Sequence, residues 1–404
     1  MAIPTLTMIP SGYKAGKLYS VLPTNGDGDF TTSRSSSATR VNKSGLIETV
    51  LSNVPRLDYS DGSCPSLLLE PQSTNLFTYS EEFNQGVWLK ARSSVSNGVL
   101  SPKNSLDAYK FFDSTDNNSH LLYRGMSVVL GSVYSISCFI KKGTINKAFL
   151  AFNSNLSQSV VFDLENGTVI SQGNQIDSSQ IEEFKNGWYR CSFTHTATTT
   201  GNLFYRLGTY VSGLNYLGTG VDFINIFGMQ LEQQSYPTSY ISTNGSAVTR
   251  NADTCFGAGD SSTFNGSQGV IMVEMSALID IGTKAIAITD GTANNIITIR
   301  YSNSQIQGIY VNSANSTTYQ INYTASNVKD FTKVAFSYQS GSLKLYVNGT
   351  LIQNIALVVN DIPDWNTLQF NIGNGTQIFY GNTKQIQYFD TALTNAELQE
   401  LTTI

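Results

Sequence analysis

Apolar residues in this chain recur at every second position and almost never with the spacing of a helix. Val334, Phe336 and Tyr338 alternate with Ala335 and Ser337; Leu343, Leu345 and Val347 alternate with Lys344 and Tyr346. Successive side chains of an extended strand point to opposite faces, so this spacing makes one apolar and one polar face. The same alternation fills 133–140, 159–164, 187–193 and 270–275. Asn-Gly pairs stand at 25, 97, 166, 186, 244, 265, 348 and 374. Asn followed by Gly suits the two φ > 0 positions of a type I′ turn, so each pair predicts a tight hairpin. The chain reads as all-β and antiparallel. One helix is predicted at its end, where Thr394-Asn395-Ala396-Glu397 forms a capping box and Leu393 and Leu398 stand at the positions of a hydrophobic staple. At about two turns it must pack on a sheet to be stable.

A chain of 404 residues exceeds one core, which predicts two or three domains. Charged residues are 13 %, about half the usual share, so Ser, Thr, Asn, Gln and Gly must supply the polar surface. That predicts sheets faced with hydroxyls and amides. The net charge of −5 and the absence of a basic run give nothing to attract nucleic acid or anionic membranes. No run of 18 apolar residues predicts membrane insertion, and 1–16 lacks the apolar stretch of a secretory signal. Cys64, Cys138, Cys191 and Cys255 are far apart with no C-x-x-C. Reduced buried thiols are the favoured reading, with one cross-strand disulfide as the alternative.

Two boundaries divide the chain. Residues 1–75 are rich in Gly, Ser, Pro and Thr with short apolar pieces, and read as an extended attachment arm. Leu68–Leu76 and Tyr236–Ile241 bracket a first sandwich, 76–241. The polar stretch 242–255 is a linker, and 256–404 a second sandwich. The expected fold is two antiparallel β-sandwiches of jelly-roll type after the arm.

Reactive chemistry finds little support. His120 lies in a loop and His195 in a strand; no G-x-S-x-G elbow accompanies them, and two isolated histidines make a poor zinc site. A glycosidase needs only two carboxylates. Asp163 and Glu165 share a strand face, but Asn166-Gly167 follows at once and places them at a hairpin. Glu81-Glu82 and Glu182-Glu183 point to opposite faces of extended chain. Asp27-Gly28-Asp29 and 113–118 could ligate calcium, but solvated turn acids explain them better. Trp88 and Trp188 could stack on a sugar, though core packing is the stronger reading. No catalytic residue, metal ligand or cofactor is expected, and no ligand-binding residue is singled out.

Several motifs resemble a known family. The run from Arg34 to Glu48 (Ser-Ala-Thr-Arg-Val-Asn, then Gly-Leu-Ile-Glu), Asn53 to Tyr59, and Leu67 to Leu76 resemble the N-terminal part of bacteriophage virion proteins, common in phages of Bacteroidetes. Gly187-Trp188-Tyr189-Arg190, Gly228-Met229-Gln230-Leu231-Glu232 and Tyr236–Ile241 look like that family's carbohydrate-binding-module-like sandwich. Val334–Gly349 and Phe379–Leu398 look like a concanavalin-A/laminin-G-like sandwich. The resemblance implies a structural protein of the virion surface, a head fibre, tail fibre or decoration protein assembled in the host cytoplasm. It would be homo-oligomeric and would bind host-surface glycan weakly and multivalently without being an enzyme. The arm would join other virion proteins, with Arg34 and Arg40 as assembly contacts. A polysaccharide-degrading tail-spike-type enzyme and a secreted bacterial lectin are the alternatives.

Overall fold

A computed structural model describes residues 2–153, 156–312, 317–358 and 364–404. Its strand ladders are antiparallel, and the all-β expectation holds. The chain forms two compact units: the first from 1–37, 50–71 and 251–404, the second from 38–49 and 72–250.

The second unit is a sandwich of two six-stranded sheets. One sheet runs in the order Leu89–Ala91, Leu121–Val128, Gly201–Thr209, Lys147–Phe152, Ser159–Asp163, Thr168–Gln172. The other runs Ser93–Val99, Ala108–Asp113, Phe223–Glu232, Val133–Lys142, Trp188–Thr196, Ser178–Phe184. In Val133–Lys142, Tyr134, Ile136, Cys138 and Ile140 enter the core between the sheets. Phe139 faces the other way and packs with Ile47, Trp188, Phe227 and Tyr240. Both faces of this sheet are therefore covered, and each fully buried apolar side chain contributes ~1.5–3 kcal/mol.

The bracketing motifs close this unit through a buried polar knot. Asn75 donates to Ile241 O at 2.8 Å and accepts from the backbone of Phe77 and Leu231. Gln230 Oε1 accepts from Ile241 N at 2.7 Å. Glu232 accepts from Ser73, Gln230 and Thr238, and burial pushes its carboxyl pKa up.

The first unit stacks an eight-stranded sheet on a five-stranded one. The larger contains Thr350–Ile355, Ser342–Val347, Thr332–Gln339, Gln268–Ala277, Gly381–Phe389, Ser66–Leu69 and Leu57–Asp58 in order. Leu6–Met8 also pairs with Gly381–Phe389. The smaller runs Thr317–Thr324, Gln305–Asn312, Ile296–Ser302, Thr283–Thr289, Thr367–Gln369. Leu343, Leu345 and Val347 face the core as their spacing requires. The terminal helix, Asn395–Thr402, has the predicted capping box. Its Leu398 and the staple residue Leu393 pack with Tyr346 and Met272 on the outer face of the larger sheet.

The expected arm, 1–75, is not a separate extended segment. Leu6, Met8, Leu18 and Phe30 are fully buried in the first unit's core, and Phe30–Ser33 pairs with Thr254–Phe256, across the end of the expected linker. The physical reason is that these single apolar residues cannot form a core among themselves, so they complete one made by distant strands. Residues 38–49 and 72–75 belong instead to the second unit.

Four buried charges fasten this arrangement. Arg34 Nη1 lies 2.8 Å from Asp253 Oδ1. Arg56 pairs with Asp253 and, at 2.5 Å, with Glu70. Arg34 also donates to Leu51 O at 2.7 Å and to Ser36 O at 2.9 Å. The backbones of Glu70 and Asp253 join in both directions, Glu70 N to Asp253 Oδ2 at 2.9 Å and Asp253 N to Glu70 O at 3.0 Å. Each of these two guanidinium groups thus faces a buried carboxylate.

Candidate functional site

The face of the second unit's first sheet that points away from its core differs from the other faces. Its centre is a cross-strand pair, Tyr123 opposite Arg206. Arg206 lies over the Tyr123 ring, 5.7 Å from the centroid. Phe204, on the same face, meets Tyr123 edge-on at 5.9 Å. Ala151 sits across from Arg206 on the next strand and leaves the guanidinium uncrowded on that side. Leu121, Phe149, Ala151 and Val161 make a buried apolar floor, with Tyr123, Tyr210 and Leu214 packed against it. Phe204 is 37 % and Leu89 44 % exposed, so the rim offers apolar surface to solvent. Gly125, opposite Phe204, carries no side chain; a Cβ there would stand 2.6 Å from Asn202 Nδ2.

Arg206 has no hydrogen bond or ion pair among the described residues, and its Nε is buried without a partner. Burial lowers its pKa from the ordinary value, with the Tyr123 side chain acting in the opposite sense. This sheet face, called the trough below, carries two aromatic rings and one guanidinium over a buried apolar cluster. Aromatic rings offer a pyranose its C–H face, and in-plane N–H donors offer its oxygens directional bonds.

The outer face of the first unit's smaller sheet is polar instead. Arg300 donates to Gln307 Oε1 at 2.8 Å and to Gln377 Oε1 at 3.1 Å. Gln307 donates to Gln305, and Gln320 to Asn322. This is the amide-covered surface the composition predicts, but its guanidinium is already engaged.

The residues read from sequence fall elsewhere. Arg34, expected to make assembly contacts, is 2 % exposed and spent on Asp253 and backbone carbonyls. Arg40 bonds Glu48 through Nε at 2.7 Å. Both side chains bond within their own units, and an assembly role for Arg34 and Arg40 stays a proposal. Asp163 accepts from Glu165 N, Asn166 N and Asn166 Nδ2, and Glu165 pairs with Lys142 at 2.6 Å, so the two acids shape a turn. Asp113 accepts from Gly220 N at 2.9 Å and Thr219 N at 3.2 Å, and Asp29 from Ser20 N at 2.8 Å. A cation at either loop would have to displace those donors. Trp88 and Trp188 are buried, donating to Tyr79 O and Leu100 O. Cys138 and Cys191 face each other across two strands as buried thiols, and burial raises both pKa values. Cys255 is buried too, and Cys64 is exposed.

His120 and His195 are fully buried. His195 stacks on Phe152 at 4.1 Å and bonds Tyr205 Oη at 2.8 Å. Burial pushes its pKa down to about 4. The folded state thus binds fewer protons than the unfolded one between pH 4 and the ordinary histidine pKa of about 6.5. Stability is complete above that range and declines as pH falls through it, by about 3 kcal/mol in all. Denaturant unfolding at pH 7 and pH 4 should show this decline, and His195→Gln should reduce it by that amount.

Comparison with known proteins adds a class. Residues 278–399 match the family model described as the concanavalin A-like lectin/glucanases superfamily. No curated protein sequence matches the chain. Among solved structures, the CBM40 of the Ruminococcus gnavus IT-sialidase, bound to α2,3-sialyllactose, is similar at 18 % identity over 34 % of this chain and 83 % of its own, with a TM-score of 0.30. The NanB sialidase of Streptococcus pneumoniae is similar at 14 % identity over 35 % of this chain and 25 % of its own, TM-score 0.31. The binding domain of botulinum neurotoxin serotype D is similar at 16 % identity over 33 % of this chain and 36 % of its own, TM-score 0.29. The chain is an all-β protein, and its residues 278–399 are similar to the concanavalin A-like lectin/glucanases superfamily.

Proposed function

We propose that the chain is a structural protein of a bacteriophage virion that presents its sandwiches to host-surface glycans and binds them weakly without cleaving them. The observation that carries the glycan reading is the trough of Tyr123, Phe204 and Arg206, the aromatic and guanidinium pair on a sheet face that its own chain leaves partly open. The lectin-type match at 278–399 supports it from the other unit. The virion reading rests on the motifs of 34–76. Binding by one copy is weak, since exchanging water for protein yields only ~0.5–1.5 kcal/mol per hydrogen bond. Many copies on one particle convert that into firm adhesion through effective concentration. The acids read as catalytic candidates, Asp163 and Glu165, are committed to a turn and an ion pair, which favours binding over hydrolysis.

Antibody against the chain should decorate purified particles under the electron microscope, and the chain should co-sediment with them. Its absence from particles, with the protein found free in culture medium, would favour the secreted lectin.

A further inference from the structure

We propose that the trough around Arg206 selects carboxylated sugars, of the hexuronate or sialate class, over their neutral counterparts. The inference rests on the glycan-binding reading and adds the chemistry of the ligand. A guanidinium stacked on an aromatic face uses its π-side; its five N–H donors lie in its plane and still need acceptors. Arg206 lies over Tyr123, 5.7 Å from the ring centroid, and its buried Nε meets no acceptor among the described residues. Arg300, on the other unit's polar face, shows the contrasting case, with its donors taken by Gln307 and Gln377. A carboxylate matches the donor fork in shape and charge, accepting two parallel bonds.

The surroundings favour a sugar acid over a dense polyanion. The trough offers one guanidinium beside the exposed ring of Phe204. The chain as a whole is acidic, at −5, so it repels polyanions at long range. A pyranose ring laid along Tyr123 and Phe204 would bring a single ring carboxylate to Arg206. Charge-assisted bonds are about twice as strong as neutral ones, so the carboxylate should be worth roughly tenfold to a hundredfold in affinity.

The test uses the full chain coupled to beads through exposed Cys64. The probes are a neutral galactan oxidised at sparse C6 positions to galacturonate and the same polymer after chemical reduction of its carboxyls. The native chain should retain the acidic polymer roughly tenfold to a hundredfold better. In Arg206→Gln that ratio should fall to near one. Arg206→Lys keeps the charge but not the planar fork, and its ratio should fall in the same direction; thermal melts confirm that the variants fold. A native chain that retains both polymers equally overturns the carboxylate inference and leaves the glycan reading standing. Retention of neither polymer, nor of any glycan on an array, overturns both.

Discussion

Arg56→Ala is expected to cost the first unit about 3–5 kcal/mol, because it removes a buried cation that two buried carboxylates share. Arg56 is fully buried and holds Glu70 and Asp253 together. Its pKa is raised: the pull of Asp253 and Glu70 outweighs a desolvation cost that is itself the largest single effect. Without it, Glu70 and Asp253 each lose a buried guanidinium partner, while Asp253 retains Arg34. A loss of that size is a large fraction of a domain's usual 5–15 kcal/mol, so the variant should melt far below the native chain or fail to accumulate. Asp253→Asn is the informative companion. It preserves shape and can still accept the Glu70 N–H, but removes the negative charge that Arg34 and Arg56 share. Calorimetry should show both variants lowering the transition of the first unit. Equal melting of Arg56→Ala and the native chain would mean that the ion cluster does not hold this unit together.

Deleting residues 1–60 should have a still larger effect. An arm could be removed and leave soluble sandwiches behind. Here the deletion removes Leu6, Met8, Leu18, Phe30 and Leu57 from one core, together with Arg34 and Arg56. It also strips Leu6–Met8 from Gly381–Phe389. Large-to-small changes at single core positions already cost ~2–5 kcal/mol, so losing five such side chains exceeds the whole stability of an ordinary domain. The truncated chain should be insoluble or rich in unfolded signal by circular dichroism and proteolysis. A soluble, cooperatively melting product would show that these residues are dispensable to the fold.

The contrast between arm and strand shows what local sequence can reveal. Asn348-Gly349 turns with φ of 48° and 77°, and Asn186-Gly187 with 63° and 74°, as a type I′ reading requires. The other pairs do not place both residues there. Gly98 has φ 101° inside Ser93–Val99, where the register shifts between Asn97 and Val99, so that pair makes a bulge. The capping box at Thr394 was legible because every bond in it spans three residues. The fate of Leu6 was not, because its partner Tyr388 lies at the far end of the chain. Arg34 reads from sequence as an assembly contact for the same reason, its acid Asp253 lying 219 residues away. The trough escaped notice because Tyr123 and Arg206 become neighbours only through strand register. The signal available was composition: an Arg alternating with Phe204 and Gly208 in a strand with no acid beside it.

The central claim is that the chain binds glycan through this trough and leaves it intact. Host capsule or surface polysaccharide should be incubated with multimeric native protein and with Tyr123→Ala, while bead retention and newly formed reducing ends are followed together. The account predicts retention by the native protein, reduced retention by Tyr123→Ala, and no new reducing ends from either. Release of oligosaccharides, abolished by replacing a single Asp or Glu, would contradict it, as would equal retention by the native and Tyr123→Ala proteins.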